Sequence, residues 1–196
     1  MSFEPKVLKA SFLVVALLIS LLATQAYAMT YSFHKLNEKE IIIDASGRTD
    51  NNELATMIRF ISNYIPEGLN IRGITLNSRG GEINDAKEMV EYVKNAHWTT
   101  GIPMGGVCAS ACVMIWSSGS VKSASTPSWI GVHQSFGDYG DKDRSVDANG
   151  TAIMDSVLRA NGAPQSILDK EHTTPPSQVY WLSNEDLSAW NVRAAG

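Results

Sequence analysis

Clustered positive charge is missing from this chain. Its 196 residues hold 16 Lys and Arg against 20 Asp and Glu, a net charge of −4. Phosphate backbones are gripped by grouped Lys and Arg, so nucleic acid is not an expected partner. Cysteine is nearly absent as well, with Cys108 and Cys112 the whole set. Structural zinc sites need about four clustered Cys or His ligands, and nothing else groups with these two, so no metal is expected. The chain also lacks internal repeats, low-complexity tracts, Gly- or Pro-rich linkers and a P-loop, which excludes solenoids and nucleotide hydrolysis of its own. With 44% hydrophobic and 18% charged residues, what remains is one ordinary globular domain with a sizeable core.

An apolar run long enough to span a bilayer is lacking too. Ala10 to Ala23 covers 14 residues, short of the roughly 20 that a membrane helix needs. Lys6 and Lys9 precede this run and Ala26-Tyr27-Ala28 follows it, the order of a secretory signal peptide with its small-residue cleavage site. The chain is therefore divided into a signal peptide, residues 1–28, and a domain, residues 29–196, that carries −5. A periplasmic or secreted location is expected, the alternative being a membrane anchor formed by an uncleaved N-terminus. Oxidising compartments permit disulfides, so Cys108 and Cys112 read either as a local bridge or as two buried small hydrophobes.

Along residues 29–196, strand and helix patterns alternate. Glu40 to Asp44 is β-branched and extended, and Asp50 with Glu53 opens a helix whose apolar face is Leu54, Met57, Ile58, Ile61 and Ile65. Ile71 to Asn77 reads as a strand, Arg79-Gly80-Gly81 as a turn, and Ile83, Ala86, Met89, Val90 and Val93 as a helix stripe. Ile102 to Val107 is read as extended, Ala109 to Ser117 as a short helix, Trp129 to His133 as a strand. Such alternation predicts an α/β fold with a mostly parallel sheet. Past Gly140 the pattern turns helical, with a stripe at Ile153, Met154, Val157 and Leu158 that ends at Asn161-Gly162, and a capping box at Ser183 and Asp186.

Three short segments fall at strand ends: Asn77-Ser78-Arg79-Gly80-Gly81, Cys108-Ala109-Ser110-Ala111-Cys112 and Gly131-Val132-His133-Gln134. Ligands of α/β folds bind at the carboxyl ends of strands, so these segments can share a site. A serine hydroxyl needs a base to become nucleophilic, and His133 is the candidate base for Ser110. Backbone N–H groups of Gly80 or Gly81 and of Ala111 could form the oxyanion hole that acyl transfer requires. Each element also has a structural counterpart: Ser110 as a helix N-cap, His133 as a core histidine, the glycines as a turn. The sequence around Ser110 is not the G-x-S-x-G elbow of α/β-hydrolases.

Taken in order, Ile74–Gly81, Ile83–Val93, Ala109–Gly119 and Ile130–Gln134 resemble the proteolytic subunit of Clp protease and its exported relatives, across about Ile41 to Leu187. The resemblance implies a ClpP/crotonase-type fold of repeated ββα units with a helical C-terminal third. It implies a serine peptidase with Ser110 as nucleophile, His133 as general base and Gly80, Gly81 and Ala111 as the oxyanion hole. No cofactor is implied; the implied partners are a peptide or unfolded-protein substrate and further copies of the chain. An ATPase partner is not expected after export. The family's acidic triad member is missing at the expected position, where Val179 stands, and Asp169 and Glu171 are the carboxylates considered as substitutes. The alternative function is a weak or inactive peptide-binding scaffold on the same fold.

Overall fold

The structure, a computed structural model, describes residues 28–50, 52–137 and 145–195. All but the last residue of the segment expected to be a signal peptide, and most of the polar segment Gly137 to Arg144, lie outside these residues. No helix among the described residues is long and apolar enough to cross a membrane.

The edge strand β1 (Thr30–Lys35) and its neighbour β2 (Glu40–Ser46) pair antiparallel as a hairpin. From β2 onward the main sheet is parallel, in the order β1-β2-β3-β4-β6-β9, with β3 at Asn70–Asn77, β4 at Thr99–Ile102, β6 at Lys122–Ser125 and β9 at Arg193–Ala195. A smaller sheet orders β5 (Val107–Ala109), β7 (Trp129–Val132) and β8 (Tyr180–Trp181). Helices α1 (Glu53–Tyr64), α2 (Ile83–Asn95) and α3 (Ala111–Ser117) connect the strands. Helices α4 (Ala148–Ala160), α5 (Gln165–Thr173) and α6 (Asn184–Ala189) form the C-terminal part.

Burial alternates along β2, where Ile41, Ile43 and Ala45 face the core, and Ile74 and Leu76 do the same on β3. Helix α2 turns Ala86, Met89, Val90 and Val93 inward, the stripe read from its period. Helix α3 is buried along its whole length, Trp116 included, so it acts as the central post of the core. Trp116 meets Trp190 edge-on at 5.4 Å, which closes the core against the C-terminus.

The structure corrects the sequence reading in several elements. The extended run expected from Ile102 to Val107 is broken: Gly105 at φ 73° and a bond from the Gly106 N–H to the Pro103 carbonyl turn the chain from β4 into β5 and the second sheet. Strand β1 alternates Tyr31 and Phe33 with polar residues and is missing from the sequence reading, while the short strands β6, β8 and β9 are held by pairing. On α1, Ile58 is exposed, while Met57 is buried and Leu54 and Ile61 are partly so. Asn52 occupies the N-cap position of α1 without a side-chain cap bond, and the Glu53 carboxylate accepts from the Asp50 N–H at 3.2 Å and from the Tyr31 hydroxyl at 2.6 Å. At α4, Met154 and Leu158 are fully buried and Ile153 and Val157 pack against the same core. The stripe is thus covered within its own chain and gives no separate reason for self-association.

Candidate active site

Strand β5 ends at Ala109 and helix α3 begins at Ala111, leaving Ser110 at the junction. Its backbone sits at φ 58°, ψ −130°, a conformation that costs a residue with a side chain of order 1–3 kcal/mol. Three ties hold it there. The Ser110 N–H donates to the Gly131 carbonyl at 3.0 Å, the Val113 N–H to the Ser110 carbonyl at 2.8 Å, and a disulfide joins Cys108 to Cys112. The bridge runs from strand to helix with Cα atoms 5.3 Å apart, inside the usual disulfide range, and brackets the serine. It resolves the two readings of the cysteines in favour of the bond. The N-cap reading of Ser110 fails, because its side chain makes no cap hydrogen bond. Instead Ser110 borders a cavity of about 220 Å³ shared with His133, Gly81, Arg48, Arg79, Phe136 and Val179.

His133 follows directly on β7 and is 6% exposed. Its Nδ1 lies 2.7 Å from the Gln134 carbonyl oxygen, which can only accept, so Nδ1 carries a proton and in the neutral imidazole Nε2 is the basic nitrogen. The ring stacks on Phe136 with centroids 6.2 Å apart. Orientation by a backbone carbonyl is one of the jobs a triad acid performs.

The glycine turn supplies donors unequally. The Gly80 N–H donates to the Ser78 hydroxyl at 3.1 Å, which takes it out of the oxyanion hole expected from sequence. Its role is steric: a Cβ at Gly80 would lie 2.7 Å from the Ala109 carbonyl and 2.9 Å from the Ser110 Cβ, so only glycine lets the turn press against the serine. The N–H groups of Gly81 and Ala111 meet no acceptor among the described residues, and both flank Ser110.

The substitute carboxylates are placed elsewhere. Asp169 accepts from the Gln165 amide on the exposed side of α5, and Glu171 faces Asp155 and His172. Neither borders the Ser110 cavity. Val179 does border it, as do Pro176, Ser177 and Gln178. Sequence reasoning missed Arg48 and Arg79 as site residues, although Arg79 adjoins the glycine pair; both guanidinium residues line the cavity and neither is in an ion pair among the described residues. Only the folding of β2's end against the Gly turn brings Arg48 to the serine.

No protein-family model and no curated protein sequence matches the chain. Solved structures do. The fold is similar to that of 1510-N, a membrane-bound stomatin-specific protease, with a TM-score of 0.59 and 16% identity over 81% of this chain and 79% of that one. It is similar to ClpP1 from Listeria monocytogenes, with a TM-score of 0.54 and 16% identity over 76% and 86% of the two chains. Methylmalonyl CoA decarboxylase aligns with a TM-score of 0.55 and 10% identity over 84% and 67%. These identities carry architecture and leave the chemistry to be argued from side chains. A mixed α/β architecture with a mostly parallel central sheet accords with these neighbours: the chain has the ClpP/crotonase-type fold.

Proposed function

We propose that this protein is a serine peptidase, exported from the cytoplasm, that cleaves peptides or unfolded segments through acyl transfer to Ser110. The observation that carries the reading is the strained Ser110 backbone in one cavity with His133, whose Nδ1 is tied to the Gln134 carbonyl. In the reaction, Ser110 Oγ attacks the peptide carbonyl carbon while its proton passes to His133 Nε2. The carbonyl oxygen becomes an oxyanion held by the Gly81 and Ala111 N–H groups. Collapse of the tetrahedral species breaks the C–N bond, and the imidazolium returns the proton to the leaving amine. Water then attacks the ester by the same route and frees Ser110.

Arg48 and Arg79 are the charged lining of this cavity besides His133, and they favour substrates with a carboxylate close to the scissile bond. Peptidase activity is also that of two proteins with similar folds. Assembly into homo-oligomers belongs to the same reading and is checked by light scattering. The export step rests on the N-terminal sequence pattern, and intact-mass measurement of native protein, expected to start at Met29, checks it.

A fluorophosphonate probe tests the chemistry. The wild type is expected to label, and Ser110→Ala and His133→Ala to lose labelling while melting cooperatively. Equal labelling of all three would overturn the peptidase reading and leave a peptide-binding scaffold.

A further inference from the structure

Helix α5 carries a carboxylate that the proposed peptidase chemistry does not use. The Glu171 side chain is 0% exposed, and neither of its oxygens has a hydrogen-bond partner. A buried, unpartnered carboxylate is costly unless something compensates it. It points at a polar group: Glu171 Oε2 lies 3.6 Å from His172 Nε2, and His172 Nε2 lies 3.1 Å from Asp155 Oδ1 on the neighbouring helix α4. The ligand atoms of Asp155, Glu171 and His172 all fall within 4.8 Å of one another.

We infer that Asp155, Glu171 and His172 form a binding site for a divalent first-row cation, with zinc as the best fit. A tetrahedral cation about 2.0–2.1 Å from each ligand sets its ligand atoms about 3.3 Å apart, and the two distances to His172 straddle that value. One imidazole and two carboxylates form a mixed N/O set that suits zinc over magnesium or calcium, which take oxygen ligands. Three protein ligands leave a fourth position for water, and half-exposed His172 puts it on the solvent side. The protein already orients one ligand: Arg159 reaches Asp155 Oδ2 at 3.4 Å as well as Oδ1 at 3.1 Å, so the guanidinium can hold Oδ2 while Oδ1 faces the cation. A cation here would staple α4 to α5.

The test is zinc binding by the untagged, chelator-treated full-length protein, read by calorimetry and by thermal melting. One zinc ion per chain and a higher melting temperature are expected. Glu171→Gln, nearly isosteric, and His172→Ala should each weaken binding about 100-fold, whereas His97→Ala, on an exposed turn, should not. Cooperative melting of both variants shows that they fold. No saturable uptake by the wild type, or equal uptake by wild type and both ligand variants, would overturn the site. Neither result bears on labelling of Ser110.

Discussion

Gly80, at φ 87° and within 2.9 Å of Ser110's neighbour Ala111 at its would-be Cβ, marks how tightly the turn and the serine junction are matched. Gly80→Ala is expected to strain the backbone, push the turn off Ser110 and cost about 1–3 kcal/mol of stability, with loss of fluorophosphonate labelling. Chemical denaturation and labelling on the same sample check it. Val179 packs on Gly131, two residues before His133, and borders the cavity. An acid there would stabilise the imidazolium formed during attack, which Val179 cannot do. Val179→Asp should therefore speed acylation by a small activated ester, and a slower or unchanged rate would show that the carbonyl tie alone suffices. Arg79→Glu should raise KM for acidic peptides by about tenfold or more relative to neutral ones with kcat little changed, because the guanidinium pairs with a carboxylate in ground and transition state alike. Equal loss for both substrate classes would place Arg79 outside substrate recognition.

At the scale of elements, the junction of β5 and α3 concentrates the design. A short strand ends, a positive-φ serine follows, a fully buried helix begins, and one disulfide spans all three. The bridge closes a loop of five residues, for which chain entropy gives about 2 kcal/mol of stabilisation. The paired substitution Cys108→Ser with Cys112→Ser should lower stability by about that amount and slow acylation more than it lowers the melting temperature, since it frees the serine backbone. Thiol titration of denatured, unreduced protein should find no free thiols in the wild type. Two free thiols would remove the bridge from the argument. Elsewhere a part-buried hydrogen bond from Tyr31 on β1 to Glu53 on α1 adds to the β2–β3 pairing that joins the hairpin to the body. Burial pushes both groups above their ordinary pKa values, the carboxylate being moderated by the Tyr31 bond itself.

For the whole molecule, the C-terminal helices set the response to pH. Burial, and then the charge of Asp155, push the Glu171 carboxyl up to about 8, while the unfolded chain titrates near the ordinary value of about 4.3. Between these two pH values the folded protein keeps a proton that the unfolded chain has released. Stability from this group is therefore full in acid, falls as pH rises from about 4 to about 8, and is flat above that. His172 and Arg159 face the same pair from α5 and α4. In the presence of chelator, Glu171→Gln should flatten the decline of melting temperature over that window. A slope equal to the wild type's would place the titrating group elsewhere.

Periodicity in the sequence sufficed for α2, for the stripe and end of α4, for the capping box at Ser183 and for β2, β3 and β7, because these are set by near neighbours and by which face is apolar. Motif order set Ser110, His133 and Gly81 at neighbouring strand ends, and in the structure these three line one cavity. Long-range pairing decided the rest. The short strands β6, β8 and β9 exist because a partner's backbone supplies their hydrogen bonds, which no local pattern records. Gly80 was read as a donor because sequence cannot show that Ser78 already takes its N–H, and Arg48 was missed because Thr49 must first pair across to the glycine turn. Asp169 and Glu171 were considered beside His133 on sequence grounds alone. The packing of α5 on α4 sends Glu171 to Asp155 instead, and a side chain's direction is settled by the face its helix buries.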